Sequence, residues 1–440
     1  MKKYIFVIPC LIFHLAWGQT TYQINQLIDS ALINNKLLQI KSYQIKEKQA
    51  ELSAMNQLRL PNLTLGGSYM YNFTPLRLQM DAGSLGSIPI PGLPISIPLP
   101  MEDVNEVIGN KQNIIAGGIL AVPLTQQFKI NNGSNVKKIE VRIIETEQQQ
   151  TANKIKHAVE QLYLGINASR WALEALDAKI ELAQEELNYI QTAIESEKAI
   201  PTNYYGLKAA LADEKQQRLK KYAELMNLLN KLNHLTQLNL LIEQISDEAI
   251  TIAKENTLQN YISLAQSNPD YQMAVLTQQK ASQGVNAAKN SYIPDLSLVG
   301  GYMYQYGIDY INSNFAMVGV NLKWSINDVF KNKKEQNQRE AQYEQARLFA
   351  ENTQAEIERN ITAAYNEMMV AKDLVDVAGE ALEYRTRNYQ SHQERYDAGL
   401  INKKELVKIK QEFIKVKSDF YAAQLNYQVH LSRLQELTGN

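Results

Sequence analysis

The chain has 440 residues, with 45 Lys plus Arg, 46 Asp plus Glu and a single cysteine, Cys10. The balanced charge removes the basic face that nucleic acid requires, and one cysteine allows neither a disulfide framework nor a thiolate metal site. No run of about eighteen apolar residues follows the N-terminal stretch, which excludes spanning helices and leaves a β-barrel as the only way across a bilayer.

Met1-Lys2-Lys3, an apolar run from Tyr4 to Trp17 and then Gly18-Gln19 have the layout of a secretory signal peptide over residues 1–18. Cys10 sits inside the apolar core behind Pro9, without the small residue that precedes a lipoprotein cysteine. Residues 24–58 are predicted helical and deliver the chain to a strand beginning at Pro61.

That strand is written twice. Residues 61–71 read Pro-Asn-Leu-Thr-Leu-Gly-Gly-Ser-Tyr-Met-Tyr and residues 294–304 read Pro-Asp-Leu-Ser-Leu-Val-Gly-Gly-Tyr-Met-Tyr, identical at seven of eleven positions. Leu63, Leu65, Tyr69 and Tyr71 alternate with small or polar residues in the first copy. Leu296, Leu298, Tyr302 and Tyr304 do the same in the second. A period of two over about ten residues describes a strand with one apolar face, long enough to cross a bilayer when tilted. These side chains are expected to face lipid, with the aromatics forming an interfacial girdle. A half-buried strand of a soluble sheet has the same local pattern.

Residues 74–113 are expected to form an outer loop. Its Ile88-Pro89-Ile90-Pro91-Gly92-Leu93-Pro94 stretch and the prolines that follow, through Pro100, are predicted to prevent both helix and ladder pairing. A second strand is expected at about 114–124. Its counterpart runs to Trp324, which would lie at the inner-leaflet boundary. Each half thus carries one hairpin.

The remaining length is predicted to be long helix. Residues 131–197 and 331–397 lack proline, and each run would extend on the order of 100 Å. In the second half Ile357, Ala364, Met368, Ala371 and Val375, then Leu406, Phe413, Phe420, Tyr427 and Leu434, keep heptad steps. The first half repeats the scheme more loosely through Ile155, Ala158 and Leu162, returning through Leu211, Tyr222, Leu225, Leu229 and Leu232. Tight turns fall near 198–203 and 397–400. The organisation is a first repeat over 19–240, a crossover over 241–257 and a second repeat over 258–440, each repeat reading helix, strand, loop, strand, long helix, turn, helix.

Four strands cannot close a barrel, and an open edge cannot face lipid. A chain with two membrane hairpins must complete its ring with copies of itself. Two copies would give eight strands and a filled interior; three would give twelve and a bore.

The two Pro-x-Leu-[Ser/Thr]-Leu strand starts, Asn268-Pro269, Ala364-Tyr365 and Tyr396-x-x-Gly399-Leu400 together resemble the TolC-like outer-membrane factors, over essentially the whole chain after the signal. The resemblance implies a mostly α fold with a transmembrane β part, a homotrimer with a 12-stranded β-barrel in the outer membrane on a long periplasmic α-barrel. It also implies a passive exit duct of a tripartite efflux pump or type I secretion system, partnered by a periplasmic adaptor and an inner-membrane transporter. On that mapping the adaptor-contact tips are Ala199, Ile200 and Pro201, with alanine where the family usually has glycine, and Gly399, Leu400 and Ile401. The family's acidic pair at the pore constriction falls on Glu405 and Lys408, and Lys408 would oppose the charge of Glu405. The competing expectation is a soluble periplasmic coiled-coil adaptor.

No catalytic, cofactor or metal site is expected. His157, His234, His392 and His430 are scattered without a His-x-x-x-His pair, and no glycine-rich phosphate loop follows a strand.

Overall fold

The structure, a computed structural model, describes residues 21–196, 201–246 and 256–439, the side chains of 201–203 and 328–329 excepted. The predicted signal peptide, and residues 247–255 of the predicted crossover, lie outside the described residues. The elements run α1 (Ile24–Asn34), α2 (Lys36–Gln57), β1 (Asn62–Tyr71), β2 (Arg77–Met80), β3 (Ser87–Pro89), β4 (Ser96–Pro98), β5 (Val104–Val107), β6 (Gly109–Pro123), α3 (Gln126–Glu195) and α4 (Pro201–Thr236) in the first half. The second half contributes α5 (Leu258–Ser263), α6 (Pro269–Asn290), β7 (Asp295–Ile308), β8 (Asn314–Lys323), α7 (Ile326–Asp397) and α8 (Lys403–Leu437). The described residues fall into two compact units, one built from 44–144 and 275–349, the other from residues up to 43, 145–274 and 350 onward.

The first of these units carries one antiparallel sheet in the order β1-β6-β7-β8. The two predicted hairpins are therefore joined through β6 and β7, where Ala116 pairs with Tyr304 and Val122 with Leu298. Register puts Leu63, Leu65, Tyr69 and Tyr71 on the same face as Leu120, Gly118, Ile114 and Gln112, and as Leu298, Tyr302, Tyr304, Val320 and Leu322. The opposite face is less polar than its period suggested, because Met70, Ile115, Ile119, Met303, Phe315 and Met317 stand there among Asn62, Thr64, Ser68, Gln305 and Asn321. Gly117 accommodates Met303, whose Sδ would lie 2.5 Å from an added Cβ. β6 begins five residues before the expected start, with a register irregularity between Gly109 and Ile114. β7 ends at Gly307-Ile308, where Gly307 has φ +102° and the Gln305 side-chain amide donates to the carbonyls of Ile308 and Ile311, both at 3.0 Å.

The proline-rich segment does pair, contrary to expectation. Ile88 opposes Ile97 in a short β3/β4 ladder that includes Pro89 and Pro98. Alternate residues of an antiparallel pair point their N–H away from the partner, and the prolines take those positions. The flanking bonds, Ile90 N–H to Ile95 C=O at 3.1 Å and Leu99 N–H to Gly86 C=O at 2.8 Å, fall on the other set. The loop packs on itself and on the rim, through Ile108 N–H to Leu76 C=O and Asp309 N–H to Ile108 C=O, both 2.9 Å. Leu85, Leu93 and Ile95 stay exposed.

The second unit is helical. Asn35 breaks α1 from α2, its Oδ1 accepting from Leu37 N at 2.8 Å to restart the helix. Asn268 does the same for α6, accepting from Asp270 N at 2.8 Å in front of Pro269, while its amide donates to Leu437 C=O at 3.0 Å. α3, α4 and α8 share a core around Val159, Ile166, Leu225, Leu229, Leu232 and Leu425. α7 and α8 share another around Ile361, Met368, Ala371, Tyr427 and Leu434. Each large side chain buried there contributes on the order of 1.5–3 kcal/mol. The seam on α7 is as predicted, whereas on α8 Leu406, Tyr427 and Leu434 are buried and Phe413 and Phe420 only half-buried. That on α3 is displaced: Ile155, Val159 and Tyr163 are buried whereas Ala158 and Leu162 are half-buried. Tyr222, expected inside, is 46% exposed. The described start of the crossover, 241–246, lies against α3, with Tyr163 Oη donating to Ser246 C=O at 2.9 Å and Arg170 to Ile245 C=O at 3.1 Å.

Candidate functional site

The turn between α7 and α8 is built from its own residues. Gly399 N–H donates to Tyr396 C=O (2.9 Å) and Leu400 N–H to Arg395 C=O (2.8 Å), with Gly399 at φ +73°. This is a Schellman closure, in which glycine takes the left-handed position without steric cost. Asn402 then caps α8, its Oδ1 accepting from Glu405 N at 2.9 Å. The result is a short rigid turn that presents Leu400, 69% exposed, with Ile401 half-buried beside it. Of the first tip, Ala199 and Ile200 lie outside the described residues, and Pro201 opens α4 at the position where a missing N–H costs nothing.

Glu405 and Lys408 both point to solvent and make no ion pair with each other among the described residues. Their neighbours on α8 do form pairs. Lys403 meets Glu185 at 2.5 Å, Lys410 meets Glu181 at 2.7 Å and Lys417 meets Glu174 at 3.2 Å, stitching α8 to α3. The lysines recur every seven residues, as do Glu174 and Glu181, so an antiparallel heptad match brings each rung into reach. The hydrogen bond that Lys403 Nζ donates to Glu185 raises the ammonium above its ordinary value. Lys404 sits 3.8 Å from Glu186 and 4.9 Å above the Tyr189 ring. Together the end of α3, from Glu185 to Ser196, and Asn402, Lys403 and Lys404 line an open cleft of about 440 Å³ beside the turn. Neither ladder nor cleft was foreseen; the lysine spacing was the visible signal.

Deeper in the same unit, His157 Nδ1 lies 2.5 Å from Ser432 Oγ, which is 2.5 Å from Glu160 Oε2. One ring nitrogen meets both neighbours, and His157 Nε2 is buried without a partner. The imidazole therefore does not bridge hydroxyl and carboxylate as a catalytic base would. Burial is the largest influence on Glu160 and pushes its carboxyl up, but the hydrogen bonds from His157 and Ser432 outweigh it and leave the group below its ordinary value. His430 stands 3.4 Å from Glu367.

On the sheet, Leu63, Leu65, Tyr69, Tyr71, Leu298, Tyr302 and Tyr304 are exposed on the common face, and Leu296 is half-buried. Trp324, 58% exposed, closes the face beside Lys323 and the Lys129–Asp295 pair at 2.6 Å. β1 and β8 are the outer strands, with no partner on their far edges among the described residues.

A sheet with two open edges and one apolar face, joined in sequence to helices of 70 and 72 residues, has counterparts. The family model described as outer membrane efflux protein matches residues 261–440. Over those residues the chain is similar to that family. Outer membrane protein TolC of Escherichia coli (strain K12) is 25% identical over 189 residues, 42% of this chain and 38% of that protein, so the match spans well under half of that relative's length. A membrane protein from Pseudomonas aeruginosa has the same fold, with TM-score 0.72 and 14% identity over 96% of this chain and 91% of its own. The Campylobacter jejuni CmeC outer membrane channel superposes with TM-score 0.69 and 17% identity, covering 100% of this chain and 93% of its own. None of these matches is a soluble periplasmic adaptor, so that reading finds no support in them.

Proposed function

We propose that the protein is the outer-membrane exit duct of a tripartite efflux pump or type I secretion system, a passive conduit of three copies that opens at its periplasmic end. The observation that carries this is the β1-β6-β7-β8 sheet, apolar on one face and unpaired along both β1 and β8. Lipid leaves such edges no hydrogen-bond partner, and each unsatisfied group costs several kcal/mol. Pairing β8 of one copy with β1 of the next satisfies both, and twelve strands from three copies enclose a bore. The apolar face then meets lipid, with Tyr69, Tyr71, Tyr302, Tyr304 and Trp324 as interfacial anchors.

In this reading the turn at Gly399, Leu400 and Ile401, together with Ala199, Ile200 and Pro201, meets a periplasmic adaptor linked to an inner-membrane transporter. Glu405 and Lys408 line the constriction, giving it mixed charge. Energy comes from the transporter, since a duct needs no chemistry of its own.

Fractionation and crosslinking test the proposal. The mature protein should remain with membranes until detergent is added and should crosslink to a trimer in outer-membrane vesicles. Recovery in the aqueous fraction, or a monomer in the bilayer, refutes it. Leu400→Arg should abolish efflux while leaving trimers intact; normal efflux would remove the turn from the adaptor contact.

A further inference from the structure

The joints where strands hand over to helices are strongly basic. Residues 57–62, 121–134, 290–297 and 321–334 hold six basic residues, Arg59, Lys129, Lys323, Lys331, Lys333 and Lys334, and two acidic ones, Asp295 and Asp328. That leaves four net positive charges per copy at the joints of a chain whose formal net charge is -1. All of them lie in the compact unit that carries the sheet.

Register tells which way the strand charges point. Asp295 opposes Lys323, and the next pair, Leu296 with Leu322, belongs to the apolar face. Successive residues of a strand point to opposite faces, so Asp295 and Lys323 project from the other face, which lines the bore when the apolar face meets lipid. Lys129, in the first turn of α3, holds Asp295 at 2.6 Å, and Lys129, Asp295 and Lys323 line one pocket of about 70 Å³ with Ser325 and Asn332. One carboxylate thus answers two lysines. Lys323, Lys331, Lys333 and Lys334 are exposed and form no ion pair among the described residues. Arg59 is spent on Asn131 Oδ1, to which it donates at 3.1 Å. Farther along the bore face nothing offsets the lysines. From Asn62 to Met70, Asn113 to Pro123, Ser297 to Gln305 and Phe315 to Asn321, the residues on that face are all uncharged.

We infer that these joints form a cationic collar around the bore, which admits anionic solutes, those bearing carboxylate, phosphate or sulfonate groups, in preference to cations. The inference rests on the three-copy duct proposed above and names the charge class that its barrel favours. Three copies repeat the collar around one ring. Low-dielectric walls focus the field of such a ring into the water between them, and rings of lysine or arginine favour anions. The Lys129–Asp295 pair is neutral as a unit, so Lys323 supplies the free charge on the bore face. Its field extends about 8 Å at physiological ionic strength and about 30 Å at 0.01 M. The preference therefore grows as salt is diluted.

Reversal potentials of the purified protein in a phosphatidylcholine bilayer, under a potassium chloride gradient, test this. The unaltered protein should favour chloride, more strongly in dilute salt. Lys323→Glu should lower the chloride-to-potassium permeability ratio several-fold, Lys323→Gln should fall between, and Lys323→Arg should keep the original ratio. Asp295→Asn frees Lys129 and should raise the ratio; damage to the fold does not move it in both directions. Glu405 and Lys408 are the same in every variant, so these shifts belong to the collar. An unchanged ratio in Lys323→Glu overturns the collar and leaves the duct standing. If the same variant also loses binding to phosphatidylglycerol vesicles, the lysines serve lipid headgroups instead. Monomers that conduct nothing overturn both collar and duct. In cells, Lys323→Glu should slow export of an anionic dye several-fold and spare a cationic dye of similar size; equal losses count against the charge preference.

Discussion

Gly399 tests whether the turn between α7 and α8 is as rigid as its hydrogen bonds imply. At φ +73° it occupies the left-handed region, and a Cβ added there meets nothing within 4 Å. Gly399→Ala therefore costs only the backbone preference, about 1–2 kcal/mol, with no steric term. Asparagine tolerates the same region, so Gly399→Asn should cost a small fraction of that. Because the loss falls on the Schellman bonds, it should appear as local opening: a roughly 5- to 30-fold faster hydrogen exchange at the Leu400 amide, which donates to Arg395 C=O at 2.8 Å. Amide exchange followed by mass spectrometry on the purified protein measures this, with the β-sheet amides as an internal control. Wild-type exchange in the alanine variant, or asparagine behaving worse than alanine, would refute the reasoning.

Met368 is fully buried between α7 and α8, and Met368→Ala should destabilise the chain by about 2–5 kcal/mol, seen as a lowered thermal midpoint. Leu298→Arg places a charge on the apolar sheet face and should reduce barrel assembly by about 2–4 kcal/mol near the midplane; unchanged trimer yield would set that residue away from lipid. Acid should loosen both units. Glu51 is held down to about 2 by hydrogen bonds from Lys137 and then Lys48, and Glu160 is lowered by those of His157 and Ser432 against burial. Groups with lowered values stabilise above their ordinary carboxylate range and lose that contribution as pH falls through the folded value. Glu160→Gln should flatten the decline in stability below about pH 4.5; an unchanged profile would show that the cluster does not contribute.

Much of this architecture was legible along the chain because strand and helix periods are local. The duplicated Pro61 and Pro294 starts, the alternation of Leu63 and Leu65, and the heptads through Met368 and Tyr427 each follow from the geometry of one backbone segment. Gly399 signalled a turn for the same reason. The α3 seam read less well. Its apolar residues are dense enough to fit two neighbouring registers, and burial favoured Val159 and Tyr163 over Ala158 and Leu162.

Partner choice was not legible, because it depends on residues hundreds of positions apart. The sequence by itself determined two repeats, their strands and long helices, and the impossibility of a helical membrane span. Only the tertiary structure decided that β6 pairs with β7, leaving β1 and β8 at the edges. It also decided that prolines in the loop sit where a ladder needs no N–H, and that Lys403, Lys410 and Lys417 find glutamates on α3. Period states which face of an element is apolar. What covers that face is decided by the hydrogen-bond and packing demands of the whole chain, and Tyr222, apolar yet exposed, shows the difference.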